Sequence, residues 1–193
     1  SLALLAGYIL RKRHGGRVVV TVATSSIVED VARSAGGEVE YTAVGSPIVA
    51  RAMRSDGGVF GGEENGGLIF ADHQYCRDGA MGAAMMLECI ASQGPLGEQI
   101  DAMPRYRTVK AAIRCPDELK ERLIGSVSSA HSGERCNLTD GLRIDYDDGW
   151  VLLRPSGTEP KFRIYSESKD PAVAERRSAE FVSEAESILE RLS

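Results

Sequence analysis

The sequence predicts two successive domains of different fold class: an α/β three-layer domain, then an α+β domain with an antiparallel sheet. In the first half, helix-like and strand-like segments alternate, which is typical of a sheet covered by helices on both faces. After Gly94-Pro95 the order changes to strand, helix, several strands and a final helix. We therefore expect the domains to be residues 1–102 and 103–193.

The first half carries clear helix and strand signals. Leu2 to Leu10 predicts a helix that ends at His14-Gly15-Gly16, because basic residues and glycine suit a helix C-terminus. Ser26 to Glu29 matches a capping box, in which the Ser26 hydroxyl caps the next helix. Apolar residues surround the 79–92 segment, which predicts a buried helix. The other predicted elements are strands at 17–23, 38–43, 58–62 and 68–71 and a helix at 46–54.

The second half is dominated by strand patterns. Asp147-Asp148-Gly149 predicts a tight hairpin turn between two of the strands. A loop that contains proline and glycine precedes the last strand. The predicted elements are strands at 106–115, 136–138, 142–146, 150–154 and 161–167, and helices at 96–103, at 116–130 and from 170 onwards.

The composition excludes several function classes. The 193 residues carry a formal net charge of −5, whereas duplex-binding proteins present a basic face, so no nucleic-acid partner is predicted. No apolar stretch reaches the roughly 20 residues that cross a bilayer, so no membrane association is predicted. The four cysteines have no metal or disulfide spacing, which predicts free buried thiols in a reducing, cytoplasmic location.

A glycine-rich segment, Gly61 to Gly67 with the sequence GGEENGG, is the first candidate site. Glycines allow a backbone to approach a ligand closely, and Glu63 and Asn65 can exchange hydrogen bonds with vicinal sugar hydroxyls. The same pattern is also typical of a hairpin turn whose acidic residues are solvated. The segment by itself leaves both interpretations open.

A second candidate site is the segment RPSGTEPKFR, which runs from Arg154 to Arg163. Arg154 can grip a phosphate with two donors, and Ser156 and Thr158 add hydroxyl donors. Gly157 would allow backbone N–H groups to converge on an anion. On these residues alone, a phosphate site and a basic connection between strands are equally supported.

The two segments together resemble the α-D-phosphohexomutase family. That family has a Gly-Glu-x-Ser-Gly-His sugar loop in its third domain and an Arg-x-Ser-x-Thr phosphate loop in its fourth. The resemblance covers essentially all 193 residues, in the same order. It implies a third domain of three layers followed by a fourth domain of the TATA-binding-protein type, and hence the C-terminal half of a phosphohexomutase. The chain also begins without Met and enters a helix at once, which favours a part of a longer protein.

The resemblance implies an isomerase that interconverts hexose 1-phosphates and 6-phosphates. A phosphoserine transfers the phosphoryl group, Mg²⁺ stabilises its charge, and a hexose 1,6-bisphosphate is the intermediate. Carried onto this chain, the sugar-binding residues are Glu63, Asn65 and Gly66. The residues that hold the phosphate not undergoing transfer are Arg154, Ser156, Gly157, Thr158 and Arg163.

Two residues depart from the family's sugar loop. Asn65 stands where many members have Ser, and it keeps the capacity for hydrogen bonds. Gly67 stands where many members have His, which removes one contact and leaves the substrate open. Archaeal-type members are similar to this form, so we interpret it as a subfamily variant.

The family's serine loop, Thr-Ala-Ser-His-Asn-Pro, and its magnesium loop, Asp-Gly-Asp-x-Asp-Arg, do not occur in this sequence. We therefore expect no catalytic residue and no metal site in this chain, and no activity without the N-terminal domains of the same protein. Phosphomannomutase/phosphoglucomutase is the favoured activity of the parent, because a loop that reads vicinal hydroxyls tolerates both epimers. Phosphoglucosamine mutase and a non-catalytic phosphosugar-binding module are the alternatives.

Overall fold

The computed structural model describes residues 1–192 and divides into two compact units, 1–105 (unit 1) and 106 onwards (unit 2). The boundary between the units lies between residues 105 and 106, whereas the sequence pattern predicted it between residues 102 and 103. Each unit has its own sheet and its own apolar core. The predicted fold class, an α/β unit followed by an α+β unit, is confirmed.

Unit 1 is built on a four-stranded mixed sheet with the strand order β2-β1-β3-β4. β1 pairs in parallel with both β2 and β3, and only β4 is antiparallel. The elements are α1 (Leu2–Arg13), β1 (Gly16–Thr21), α2 (Ile27–Ser34), β2 (Gly37–Thr42), α3 (Ser46–Asp56), β3 (Gly58–Gly62), β4 (Leu68–Phe70), α4 (Gly79–Gln93) and α5 (Leu96–Asp101).

Helices cover both faces of this sheet, which explains why the residues from Val18 to Thr21 of β1 are all buried. Val18 and Val20 pack on the face that carries α1, α2 and α4. Val19, between them in sequence, packs against Val49 and Met53 of α3 on the opposite face. Alternate residues of a strand point to opposite faces, so one run of valines serves both cores.

Two local predictions in unit 1 are wrong. Ser26 has a helical backbone and makes no capping hydrogen bond, and the Oγ of Ser25 accepts from the N–H of Ile27 instead. Helix α4 begins after Asp78, which caps it as an acceptor from the N–H of Met81 at 2.9 Å. The helix is not buried as predicted, since Leu87 is 69% exposed.

Unit 2 contains a five-stranded, fully antiparallel sheet with the strand order β5-β9-β8-β7-β6. The two residues between Tyr146 and Gly149 form the predicted hairpin turn. The elements are β5 (Arg107–Arg114), α6 (Asp117–Ala130), β6 (Cys136–Asn137), β7 (Leu142–Tyr146), β8 (Gly149–Pro155), β9 (Lys161–Ser168) and α7 (Pro171–Leu192).

Helices α6 and α7 pack on one face of this sheet. Val151 and Leu153 of β8 and Phe162 and Ile164 of β9 point toward the helices and form the core of unit 2. The alternation along the strands places the side chains of Arg154 and Arg163 on the other face. Both arginines therefore stand beside the loop that joins β8 to β9.

All four cysteines are free, but only two of them are buried as predicted. Cys89 and Cys115 are buried, whereas Cys76 and Cys136 are exposed. Within residues 1–192, none of the helices combines the length and the apolar character that crossing a bilayer requires.

Candidate functional site

The β3–β4 loop, residues 63–67, is a tight turn closed by its own hydrogen bonds. The N–H of Glu63 donates to the carbonyl of Gly67 at 3.0 Å, and the N–H of Gly66 donates to the carbonyl of Glu63 at 3.1 Å. The Oδ1 of Asn65 accepts from the N–H of Gly67 at 3.1 Å. These bonds use the oxygen of the Asn65 amide and leave its exposed NH₂ group available to a ligand.

Packing inside unit 1 accounts for two glycines that sequence reasoning attributed to close approach of a ligand. A Cβ at Gly62 would lie 2.4 Å from the carbonyl oxygen of Gly67. A Cβ at Gly67 would lie 2.3 Å from Cδ of Arg77, so Arg77 would have to move before a larger residue could fit. The turn therefore needs glycine at position 62 for its own geometry, whereas at position 67 the exposed side chain of Arg77 is the obstacle.

The carboxylate of Glu63 is the most unusual group of this loop. The residue is only 7% exposed, and its side chain has no hydrogen bond or ion pair within residues 1–192. The residue as a whole is buried, but its carboxylate oxygens are not among the fully enclosed atoms, so they remain open to solvent or to a ligand. The arrangement leaves Glu63 able to accept hydrogen bonds from a bound molecule.

The β8–β9 loop, residues 156–160, presents backbone donors. The N–H of Ser156 donates to the carbonyl of Lys161 at 2.9 Å and closes the loop where the strands separate. The N–H groups of Gly157, Thr158 and Glu159 have no acceptor within residues 1–192. Successive unpaired N–H groups next to cationic side chains are suited to binding an anion.

Gly157 does not adopt the conformation that the sequence suggested. Its φ is not positive, so the loop lacks the left-handed residue of an anion-binding nest. A Cβ added at Gly157 would meet nothing within 4 Å. The glycine therefore leaves open space on the side of its Cα where a side chain would stand, and does not serve a left-handed backbone turn.

Arg154 and Arg163 lie directly opposite each other across the β8–β9 ladder. Each guanidinium already has a carboxylate partner: Nη2 of Arg154 lies 3.0 Å from Asp140, and Nη2 of Arg163 lies 2.9 Å from Glu159. The Nε atoms of both arginines are buried and have no hydrogen-bond partner within residues 1–192. The pair has donor capacity beyond what unit 2 itself uses.

The two hydroxyls of the loop differ in access. Ser156 is 3% exposed, and its Oγ lies 3.5 Å from Nη2 of Arg163. Thr158 is exposed at the tip of the loop. Both lie within the one short connection that also brings Gly157 beside the arginines.

Glu159 supplies the loop with an internal counter-ion. Its Oε1 accepts from Nζ of Lys161 at 2.8 Å, while its Oε2 faces Arg163. The hydrogen bond from Lys161, followed by the charge of Arg163, lowers the pKa of Glu159 below its usual value. The carboxylate is thus ionised at neutral pH, and it pairs with Lys161 and Arg163, the cationic groups that an anion at this loop would contact.

Sequence reasoning missed three residues of this site: Asp140, Glu159 and Lys120. Lys120 lies on α6, and its Nζ donates to the carbonyl oxygens of Ser156 and Glu159. Its position carried one signal, because it stands three residues before the buried Leu123 on the apolar stripe of α6. A charged residue on such a stripe requires buried polar partners.

Within residues 1–192, no group of three or more His, Cys, Asp or Glu side chains is arranged to hold a metal ion. The residues of this part of the chain therefore do not fit the magnesium ion that the family resemblance implies. The described chemistry of both loops is hydrogen bonding and charge, which binds and orients a ligand.

Comparison with known proteins assigns a family to both units. Residues 1–106 match "Phosphoglucomutase/phosphomannomutase, alpha/beta/alpha domain III", and residues 97–184 match "Phosphoglucomutase/phosphomannomutase, C-terminal domain". A crystal structure of a phosphoglucomutase/phosphomannomutase family protein from Burkholderia thailandensis has a similar fold, with a TM-score of 0.82 and 24% identity. That alignment covers 97% of this chain and 41% of the other.

Curated relatives carry two enzyme names. A "Probable phosphoglucosamine mutase" of Pyrococcus horikoshii is 39% identical over 196 residues, which cover 100% of this chain and 44% of the relative. A "Phosphoglucomutase/phosphomannomutase" of Thermococcus kodakarensis is 40% identical over 172 residues, which cover 88% of this chain and 38% of the relative. The chain thus spans less than half the length of these relatives. Because a family description matches more than half of its residues, the chain belongs to the phosphoglucomutase/phosphomannomutase family, with regions equivalent to domain III and the C-terminal domain.

Proposed function

We propose that this chain is the substrate-recognition part of a phosphohexomutase, with one loop for the sugar and one for its phosphate. In this proposal the β8–β9 loop binds the phosphate of a hexose phosphate that is not being transferred. The β3–β4 loop binds the sugar hydroxyls. Holding the non-reacting end of a substrate helps to align its reacting end, so both loops contribute to the rate of the complete enzyme.

The observation that carries the proposal is the row of unpaired N–H groups at Gly157, Thr158 and Glu159. They stand beside Arg154 and Arg163, whose guanidinium groups suit the geometry of a phosphate. The open space in front of Gly157 leaves room for the anion. In this proposal Ser156 and Thr158 add their hydroxyls to the same phosphate.

Sugar recognition is assigned to Glu63, Asn65 and Gly66. The unpartnered carboxylate of Glu63 can accept hydrogen bonds from two adjacent hydroxyls, and the free NH₂ group of Asn65 can donate one. Gly66, which has a φ of 89°, shapes the turn between them. A sugar hydroxyl suits this loop, because the Glu63 carboxylate is an acceptor without an ion-pair partner within residues 1–192.

Phosphoryl transfer is assigned to domains that this chain does not contain. In the proposal, other domains of the same polypeptide supply the phosphoserine and the Mg²⁺ site, and the intermediate is a hexose 1,6-bisphosphate. The length of the relatives supports further domains, since this chain corresponds to 44% or less of the two described above. We therefore expect the isolated chain to bind hexose phosphates without converting them.

The identity of the hexose is proposed in order of preference. Mannose and glucose phosphates are favoured, because a carboxylate that contacts neighbouring hydroxyls does not require one epimer. Glucosamine phosphate is the second candidate, and the name of the Pyrococcus horikoshii relative favours it. A phosphosugar-binding module without any enzymatic role is the third.

A titration of the ¹⁵N-labelled 193-residue chain tests the proposal. Glucose 6-phosphate, mannose 6-phosphate and glucosamine 6-phosphate are added in parallel, with inorganic phosphate and free glucose as controls. We expect shifts of the amides of residues 157–159 with every phosphate and shifts of residues 63–67 only with sugars. Glu63→Gln should weaken the binding of sugar phosphates and leave the binding of inorganic phosphate unchanged.

The outcomes separate the parts of the proposal. Absence of any shift at 157–159 at high phosphate concentration contradicts the phosphate assignment. An unchanged affinity of Glu63→Gln for all three sugar phosphates contradicts the sugar assignment. Sustained turnover by the repurified chain contradicts the assignment of catalysis to other domains.

A further inference from the structure

Lys120 lies beneath the β8–β9 loop, on the side of the sheet that carries α6. The residue is only 8% exposed, and its Nζ donates to the carbonyl oxygens of Ser156 at 2.6 Å and Glu159 at 2.7 Å. Its third contact is Asp117 Oδ1 at 2.6 Å, one turn earlier on the same helix. Two of the three ammonium donors are therefore used by loop carbonyls, and the charge is balanced by an ion pair with Asp117.

The contact with Ser156 determines the direction of a donor in the loop. The carbonyl of Ser156 and the N–H of Gly157 belong to one planar trans peptide unit, so they point in opposite directions. Because the carbonyl points toward Lys120, the N–H of Gly157 points away from it. The lysine thereby turns the first of the three free donors outward.

The contact with Glu159 fixes the other end of the same row. The peptide after Glu159 leads to Pro160, which has no N–H, so its carbonyl can turn inward without directing a further donor. The same carbonyl also accepts from the N–H of Lys161 at 2.7 Å. Lys120 thus donates to the carbonyl of the peptide unit that joins Ser156 to Gly157 and to the carbonyl of the unit that joins Glu159 to Pro160. The free N–H groups of residues 157–159 belong to the stretch of backbone between these two carbonyls.

We infer that Lys120 is a positioning residue for phosphate binding, which holds the carbonyls of the β8–β9 loop inward so that the N–H groups face the anion. This inference rests on the proposed phosphate function of that loop. Lys120 is not assigned a contact with the phosphate itself, because the residue is 8% exposed and its Nζ faces the loop carbonyls, on the side away from the outward N–H of Gly157. Its charge also lies behind the outward N–H groups and adds to their attraction for an anion.

Phosphate affinity of the full 193-residue chain tests the inference, with inorganic phosphate and glucose 6-phosphate as the probes. Lys120→Met removes the donors and keeps a long apolar stem, and we expect the dissociation constant to rise about tenfold. Lys120→Arg keeps the charge, but its planar group cannot reproduce three contacts from one nitrogen, so we expect an intermediate loss. In ¹⁵N spectra of the unliganded chains, the amide shifts of Gly157, Thr158 and Glu159 should depart from those of the wild type more in Lys120→Met than in Lys120→Arg.

Two control variants separate positioning from charge and from stability. Lys169→Met makes the same change of charge beyond the other end of β9, roughly 25 Å along the strand, and should leave the affinity within twofold. Val127→Ala removes buried methyl groups of α6 and lowers the melting temperature, and it should also leave the affinity within twofold.

Each outcome supports or overturns the inference. If the wild-type chain binds neither probe, the proposed function fails. If the wild type binds and Lys120→Met binds within twofold of it, only the positioning role fails. An equal loss in Lys169→Met or in Val127→Ala also overturns it. If Lys120→Met does not fold, Lys120→Arg decides, and wild-type affinity together with wild-type amide shifts at residues 157–159 in that variant contradicts the inference.

Discussion

The two loops use opposite arrangements of charge. In the β3–β4 loop, the backbone is closed by its own hydrogen bonds and one carboxylate, that of Glu63, has no partner within residues 1–192. In the β8–β9 loop, the charged side chains are paired, Arg154 with Asp140 and Arg163 with Glu159. There it is the backbone N–H groups of residues 157–159 that have no acceptor in the part of the chain that the structure describes.

This difference suits the two parts of a hexose phosphate. A hydroxyl is a modest donor, and an unpartnered, largely buried carboxylate gives it a strong acceptor without competition. A phosphate is a strongly charged anion, and internal counter-ions keep two arginines stable while the site is empty. Under the proposed function, a phosphate would compete with Asp140 and Glu159, whereas a sugar hydroxyl would displace no protein group from Glu63.

The largest expected effect comes from Arg154. Arg154→Met should weaken the binding of inorganic phosphate by about 30-fold, because charge-assisted hydrogen bonds are lost. The variant should also destabilise unit 2, because Asp140, which is 19% exposed, loses its guanidinium partner. NMR titration measures the first effect and thermal unfolding measures the second.

The double variant Arg154→Met/Asp140→Asn sharpens this prediction. Removing the carboxylate should restore part of the melting temperature, while phosphate affinity stays at the level of the single variant. Recovery of affinity together with stability would mean that Arg154 acts on the fold and not on the anion.

Matched glycine substitutions compare the two loops next. Gly62→Ala should lower the free energy of unfolding by about 1–3 kcal/mol, because the new Cβ meets the carbonyl of Gly67 at 2.4 Å. Gly157→Ala should change it by less than about 0.5 kcal/mol, because its Cβ meets nothing, yet it should reduce phosphate affinity. Urea denaturation distinguishes the two, and equal destabilisation would contradict the contrast.

A smaller effect is expected from the internal counter-ion. Glu159→Gln releases Arg163 and Lys161 from their carboxylate, so phosphate should bind about threefold more tightly at pH 7. Glu186→Gln, an exposed change of equal charge on α7, is the control. Weaker phosphate binding by Glu159→Gln would show that this carboxylate supports the loop and does not compete with the ligand.

The smallest effect concerns pH and lies away from both loops. Burial tends to lower the pKa of His131, but hydrogen bonds to Glu134 and Glu184 outweigh it and raise the pKa above 6.5. The ring also lies 5.0 Å from Phe181, and its backbone carbonyl accepts from the thiol of Cys136. The protonated form is therefore favoured in the folded state.

The sign of this effect follows from linkage. The stabilisation is fully present below pH 6.5 and is lost as pH rises through the higher pKa of the folded state. We expect a loss of under about 1 kcal/mol, measured by urea denaturation at several pH values. His131→Asn should remove this pH dependence without altering phosphate binding. A variant with unchanged pH dependence would contradict the assignment to His131.

Much of the fold was readable from local patterns. The strand that contains the β1 valines, the end of α1 at His14 and the Asp147-Asp148 turn each depend on neighbouring residues, and the structure has all of them. The predicted cap at Ser26 was wrong, because the Oγ of Ser25, one residue earlier, accepts the hydrogen bond from the N–H of Ile27. The prediction that α4 is buried was wrong, because composition gives the residues of a helix but not the elements that the fold packs around it.

In the candidate site, too, local patterns predicted some features and tertiary contacts decided the others. The order of the two loops, their glycines and their charged residues were determined by the sequence itself, since each motif is contiguous. Only the tertiary structure decided that Glu63 has no partner, that Asp140 and Glu159 pair with the arginines, and that Lys120 holds the β8–β9 loop. Lys120 and Ser156 are 36 residues apart in the chain, so no local pattern joins them. They meet because α6 packs on the sheet whose strands carry that loop.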